Sequence, residues 1–421
     1  MKPKIISLVG ITASGKSALG IKLAQEFNGE IVSCDSRQIY EGLDLGSGKV
    51  TKQEQAIVPH HLLDICPPGK TFNVFEFQKL AYAAIDDILA RGKLPILVGG
   101  SGLYSRSIVE GYVFASEAKQ PLHENKPRYD VLQICIMPPR EVIEPLVIKR
   151  IQERLDEGMI EETAELVKQG TPKEWFSSLG LEYFWNVLYI EGKINLDEYK
   201  RLLKDKVMQF IKRQRTWFRK EKNTIYLTDP SEFHKKSREL IQKFLNIELI
   251  DIFDKDMNHI GVMEKWEAHR KNQMHKNSHI WVTDGKNVLI QLRSPKKKIL
   301  PNKWDISAAG HFGLGDTPLE CAKREYEEEL GLSWEFGDVE PNLVKAWEGL
   351  CNGVPLYEFI YFFFVKGKPD ISKAKLQREE VVEVKWLPFE EFKKQIKTDL
   401  FCPFDDEYWE IVVSGLSKLI D

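Results

Sequence analysis

The run Gly10-Ile11-Thr12-Ala13-Ser14-Gly15-Lys16-Ser17 fits the pattern GxxxxGK[ST]. Glycines at its ends let backbone N–H groups converge on phosphate oxygens, and a helix opening at Lys16 adds its partial positive charge. Lys16 offers a point charge to the terminal phosphates, and the Ser17 hydroxyl can hold Mg²⁺. A chance match on a glycine-rich turn is the competing explanation. The flanks argue against it, since an apolar run at 4–9 precedes the pattern and a helical periodicity at 16–27 follows. The pattern says that a diphosphate binds; it does not make the ligand ATP.

Asp35 closes a second apolar run, 30–34. An acid at the end of a strand beside the first lies in the crevice where parallel sheets bind ligands. There it serves as a base, a metal partner or a helix cap. Gly99-Gly100-Ser101-Gly102-Leu103-Tyr104 follows the apolar run 94–98 and brings a second glycine-rich turn to the same crevice. Residues 200–222 hold ten Lys or Arg interleaved with Phe210, Trp217 and Phe218. Such a stretch neutralises nucleic-acid phosphates, or is a helix with a solvated basic face and core aromatics. Far along the chain, Gly310 to Asp316 precede Arg324-Glu325-Tyr326-Glu327-Glu328-Glu329-Leu330-Gly331-Leu332 by seven residues. Glu325, Glu328 and Glu329 share one helical face, where a hard cation such as Mg²⁺ relieves their repulsion. A solvated acidic helix accounts for the glutamates but not for the glycine loop before them.

The elements that must position these residues read as follows. Strands at 4–9, 30–34, 94–98 and 131–136 alternate with helices at 16–27 and 74–91, which argues for a parallel sheet with helices on both faces. Residues 140–222 are helical apart from a break at 170–172. Residues 229–257 carry no strand signal and read as a linker between a domain at 1–228 and one at 258–421. In the second, strands at 279–282, 288–292 and 359–365 and a helix at 318–330 suggest an α+β unit.

With 421 residues and 43% hydrophobic content the chain can build two cores. A net charge of −3 excludes a global basic field, so any nucleic-acid contact is a local patch. The apolar start is too short for a membrane span or signal peptide. Six cysteines without CxxC pairing, Cys34, Cys66, Cys135, Cys321, Cys351 and Cys402, read as buried thiols of a reducing compartment. The expectation is a soluble cytoplasmic monomer that does not engage a membrane.

Taken in order, the loop at 10–17, Asp35-Ser36-Arg37-Gln38-Ile39-Tyr40, Pro59-His60-His61-Leu62-Leu63-Asp64 and the 99–104 turn resemble the tRNA dimethylallyltransferase family over about residues 2–227. That family moves a dimethylallyl group from its diphosphate to N6 of the adenosine beside the anticodon. The resemblance implies that residues 10–17 cradle dimethylallyl diphosphate with Mg²⁺, that Asp35 is the base, and that Thr12 and Arg150 meet the diphosphate. It also implies tRNA contacts at Asp35, Ser36, Arg37, Gln38 and Ser101. Lys212-Arg213-Gln214-Arg215-Thr216-Trp217-Phe218-Arg219 looks like the family's RQxTWxR segment, which puts Arg213, Arg215, Trp217 and Arg219 at the RNA; Leu179 to Tyr183 resemble another turn near the substrate. A surface arginine is the competing explanation for Arg150. Most members carry a helical insertion that grips the anticodon stem; only residues 112–128 stand there, so a free adenine nucleotide, as in adenylate isopentenyltransferases, stays open as acceptor. A phosphate-loop kinase of small metabolites is the other alternative.

The 310–332 pattern resembles the Nudix box, with Asp316 at a position usually Glu. Trp304 to His311, with His269, His275 and His279, look like the branch related to isopentenyl diphosphate isomerase. Ala308 and Ala309 stand where an isomerase has its cysteine, so hydrolysis of a small diphosphate is expected.

Overall fold

Residues 5–9 show no polar–apolar alternation, the mark of a strand covered on both faces. A computed structural model describes residues 2–114, 125–297, 299–351 and 354–421. In it β1 (Lys4–Gly10) is buried along all but its first residue. The chain divides into two units, Met1–Asn246 and Ile247–Asp421.

In the first unit β1 is followed by α1 (Lys16–Glu26), β2 (Gly29–Ser33), α2 (Lys52–Ile57), β3 (His60–His61), α3 (Val74–Ala90), β4 (Leu94–Gly99), α4 (Gly102–Val109) and β5 (Asp130–Ile136). A helical run then holds α5 (Arg140–Asp156), α6 (Met159–Lys168), α7 (Lys173–Leu179), α8 (Leu181–Ile190) and α9 (Leu196–Phe218), before β6 (Thr224–Leu227) and α10 (Phe233–Leu245). The six strands form a parallel sheet in the order β3-β2-β4-β1-β5-β6. One core joins the sheet to α5, α8 and α9 through Val9, Ile143, Leu181, Leu203 and Ile211. Another joins it to α3 and α4 through Val32, Phe77, Ile85 and Ile108. Helices therefore cover both faces.

The helix starts are not alike. Asn73 and Glu76 form a capping box at α3, and Asn195 and Glu198 form one at α9, satisfying backbone N–H groups that a helix leaves free. At α1 the cap residue is Gly15, at φ 80°, and no side chain caps the helix. Lys16 and Ser17 at its start line a cavity, so its leading N–H groups are left for a bound anion.

In the second unit the order is β7 (Leu249–Phe253), β8 (His259–Glu264), α11 (Lys265–Arg270), β9 (Met274–Thr283), β10 (Asn287–Arg293), β11 (Trp304–Asp305), β12 (Ala308–His311), α12 (Pro318–Leu330), β13 (Leu343–Cys351), β14 (Val354–Lys366), β15 (Val381–Pro388), α13 (Phe389–Gln395) and α14 (Asp406–Ser417). The sheet is mixed. Its main path is β11-β10-β9-β14-β13, and β9 also pairs with β12 and β7. β9 and β14 run parallel, the other pairs antiparallel. Thr317 and Glu320 box the start of α12, Pro318 occupies its first turn, and Gly331 ends it at φ 63°.

The linker expected at 229–257 is absent: α10 packs on α1 and β5, and β7 joins the second sheet. The charged composition of the region suited a helix, but β7 is only five residues long and bounded by charge, which hid it. Residues 115–124 of the short 112–128 segment lie outside the described residues.

Candidate active site

The loop after β1 places Ala13 at φ 60° and Gly15 at φ 80°, so that successive N–H groups turn inward. Thr12, Lys16 and Ser17 from this loop share a cavity with Asp35, Gln38, Ser47, Gly48, Gly99 and Arg150. Burial lowers the Lys16 pKa, and the nearby Asp35 carboxylate works against that. Asp35 Oδ1 accepts the Arg37 N–H at 2.9 Å, forming a turn cap, and the residue still lines the cavity.

Arg150 is not a solvated surface arginine. It reaches in from α5 to line the same cavity, with Nη1 3.5 Å from Thr12 Oγ1. Arg154, one turn on, is buried and donates to Gly46 O at 3.2 Å and to Glu182 Oε1 at 3.4 Å. Gly48, at φ 63°, comes so close to both guanidinium groups that a Cβ would overlap them. The loop carrying Gly48 is itself tied down. Lys49 donates to Tyr40 O at 2.8 Å and pairs with Asp44 and Asp64, while Glu162 accepts the N–H groups of Asp44 (2.9 Å), Leu45 (2.7 Å) and Gly46 (3.3 Å). Asp64 of the PHHLLD segment thus acts on the cavity wall through Lys49, and His61 bonds Glu30 at 2.7 Å.

On the other side, Ser36 N–H donates to Ser101 Oγ at 2.9 Å, and the two hydroxyls lie 3.2 Å apart. Gln38 spans from Ser33 Oγ (3.2 Å) to Gly48 O (3.1 Å). Arg37 donates to Leu179 O at 2.6 Å and pairs with Glu182 at 3.4 Å, which brings the 179–183 turn against the Asp35 loop.

Helix α9 divides its motif between surface and interior. Arg213 and Arg219 are exposed, whereas Arg215 donates to Pro138 O. Trp217 is 36% exposed, closes over Gly102 at the start of α4, and takes the Arg106 guanidinium 4.7 Å from its ring centroid. Gln214 turns inward and is buried.

Residues 38–125 and 114–221 match the IPP transferase family model, residues 3–62 the isopentenyl transferase model, and residues 274–404 the NUDIX domain model. The tRNA dimethylallyltransferase of an Exiguobacterium species is 36% identical over 298 residues, covering 58% of this chain and 94% of that protein. The chain belongs to the tRNA dimethylallyltransferase family. Within that family, tRNA dimethylallyltransferase 2 of Treponema denticola is 38% identical over 282 residues, covering 53% of this chain and 94% of that one. Among solved structures, the tRNA delta(2)-isopentenylpyrophosphate transferase of Staphylococcus epidermidis aligns at TM-score 0.52 and 31% identity, over 58% of this chain and 99% of its own. The tRNA isopentenylpyrophosphate transferase of Bacillus halodurans aligns at TM-score 0.53 and 28% identity, over 58% and 97%. The dimethylallyltransferase part is thus followed by a NUDIX domain on the same chain.

In the NUDIX domain α12 delivers Glu325 and Glu329 inward, while the Glu328 side chain is 57% exposed. Glu325 packs where only Gly310 leaves room and pairs with Arg324 at 2.5 Å. Arg324 also binds Asp316 at 2.9 Å, and Asp316 accepts the Gly313 N–H at 2.8 Å, so the shorter acid braces the loop. Glu329 accepts from Ala309 N–H and Gln291 Nε2, each at 3.1 Å. Burial pushes Glu325 up to about 8 and Glu329 up to about 7. Carboxylates held this far from water are fitted to a cation that replaces the proton.

A second ligand set was only half legible. His269, His275, His311 and Glu358 bring their ligand atoms within 4.8 Å of one another. His275 and His311 are stacked at 5.1 Å, Glu358 Oε1 lies 3.4 and 3.5 Å from their Nε2 atoms, and neither Nε2 has a hydrogen-bond partner. Buried ring nitrogens left so are suited to a divalent metal. Burial and the neighbouring His311 and His275 lower His269 to about 4, so it stays neutral and able to ligate. His279, grouped with this set by sequence, instead bonds Tyr408 Oη at 2.7 Å in the core. Glu358, on β14, has no local sequence signal and escaped notice.

The cysteines Cys34, Cys66, Cys135, Cys321 and Cys402 are buried free thiols. Among the described residues, no helix is long and apolar enough to cross a membrane.

Proposed function

We propose that the first unit transfers a dimethylallyl group from dimethylallyl diphosphate to the exocyclic N6 of an adenosine beside the anticodon of tRNA. The observation carrying this is the single cavity that Asp35 shares with the diphosphate loop and Arg150. The allylic C–O bond breaks with its electron pair passing to the diphosphate, the N6 lone pair forms the new C–N bond, and the N6 proton passes to the Asp35 carboxylate. Lys16, Arg150, the Thr12 hydroxyl and the loop N–H groups stabilise charge on the departing diphosphate. Ser17 would hold Mg²⁺, which supplies further positive charge there. Ser36, Arg37, Gln38 and Ser101 shape the acceptor side, with Arg213, Arg219 and Trp217 on the RNA beyond it.

A free adenine nucleotide is the second reading. The IPP transferase model matches in two pieces that meet at 114–125, where the chain holds too few residues for an insertion that grips a stem. In the second unit, Glu325, Glu328 and Glu329 would hold Mg²⁺ for hydrolysis of a small diphosphate, and the His269, His275, His311 and Glu358 set would take a further divalent ion. Incubation with labelled dimethylallyl diphosphate and either unmodified tRNA or AMP tests the reading. Label in the RNA supports it, label in the nucleotide favours the second, and label in neither rejects both. Phosphate release by the whole chain from prenyl or nucleoside diphosphates, lost in Glu329→Gln, tests the hydrolase.

A further inference from the structure

Gln214 sits inside the basic α9 segment, yet it is 6% exposed. Its Oε1 accepts the Thr12 N–H at 2.9 Å, and its Nε2 donates to Gly100 O at 3.0 Å. A carboxamide alone offers a donor and an acceptor from one planar group of this length. Glutamate would fail at Gly100, and Met or Leu would fail at both ends. The two backbone groups belong to two different segments, the loop after β1 and the turn after β4, which contribute Thr12 and Gly99 to the cavity lining. Thr12 stands beside Arg150 on the diphosphate side, whereas Gly100 precedes Ser101, whose hydroxyl holds the Ser36 N–H next to Asp35.

We propose that Gln214 is a positioning residue that sets the spacing between the diphosphate loop and the turn that supports Asp35. This rests on the transfer reading above. Gln214 is not among the residues that line the cavity, so its loss should leave each binding step nearly intact and misalign the two partners. Alignment errors of this kind act on turnover, because a displacement of about 1 Å can cost about a hundredfold in rate.

The test is Gln214→Met in the full chain, with three readouts. Turnover should fall about 10- to 100-fold. KM for dimethylallyl diphosphate and for RNA, and the affinity for inorganic pyrophosphate, should each stay within about threefold. Amide exchange of the peptides holding Thr12 and the 99–102 turn should quicken about tenfold, as a lost buried hydrogen bond implies. Turnover within twofold of the parent, or a loss carried mainly by the RNA KM, overturns the proposal. Unchanged exchange at Thr12 and the 99–102 turn overturns it whether or not transfer is detected. A parent protein that moves no label, with the exchange change present, instead rejects the transfer reading and leaves the bridge standing. Should Gln214→Met not fold, Gln214→Glu, which keeps the acceptor and loses the donor, is read by the same three measurements.

Discussion

Gly48→Ala separates folding from function by magnitude. Gly48 has φ 63°, where an alanine costs about 1–2 kcal/mol. In a unit of this size that is a fall in melting temperature of about 2–8 °C. The added methyl would overlap the terminal nitrogens of Arg150 and Arg154. These are ends of flexible chains, so the fold yields there more easily than a backbone would. The yielding is what matters, because Arg150 is then displaced from Thr12 and from the cavity. Losing one charge-assisted hydrogen bond costs about 1.5–3 kcal/mol, or roughly 10- to 150-fold in affinity or rate. Calorimetric titration with pyrophosphate and single-turnover transfer from labelled dimethylallyl diphosphate read the two effects. A variant that binds pyrophosphate and turns over as the parent does would refute the clamp, whatever its melting temperature.

Asp35→Asn keeps an oxygen for the Arg37 N–H and removes the base; turnover should fall about 10²- to 10⁴-fold, and retention of more than a tenth of parental turnover would exclude that role. Glu30, 2% exposed, is bound by Arg91, Lys93 and His61. Glu30→Gln should cost about 2–3 kcal/mol at pH 7, discounted from a fully buried pair because Arg91 and Lys93 reach water. The hydrogen bond from Arg91, with those from Lys93 and His61, holds the Glu30 pKa far below its unfolded value of 4.5 against burial. Its contribution is therefore complete above pH 4.5 and fades as the pH falls further. Urea melts at pH 7 and pH 3 should show the parent's advantage shrinking in acid; a constant gap contradicts the pairing. Glu358→Gln should weaken binding of one divalent ion about 10- to 100-fold by titration calorimetry while leaving prenyl transfer at the parental rate. Undiminished ion binding would remove that site.

Buried parallel strands were legible because β1, β4 and the inner part of β5 are mostly apolar and show no polar–apolar alternation, with Ser7 and Gln133 as buried polar exceptions. The same logic exposed α12, whose box, proline and glycine punctuate a periodic helix. It failed at β8, which is exposed or half-buried throughout and carries charge like a loop. Sequence also grouped residues by proximity along the chain. Asp35, Ser101 and Arg150 were placed by resemblance, and the cavity brings Asp35 and Arg150 together. Arg154 and Gln214 stood within quoted or adjacent segments, but their inward direction depends on helix phase against the sheet. His311 and Glu358 meet only because β12 and β14 flank β9, a juxtaposition no local pattern encodes.

β9 is the most connected strand of its sheet, yet His275, Asn277, Ser278 and His279 along it are polar and at most 8% exposed. A protein engineer seeking heat tolerance would find this strand inviting, since apolar replacements of interior polar groups often raise stability. Here such gains would be deceptive. A library sorted by melting temperature alone would enrich chains that fold better and have discarded the second unit's chemistry, so selection has to score both traits together.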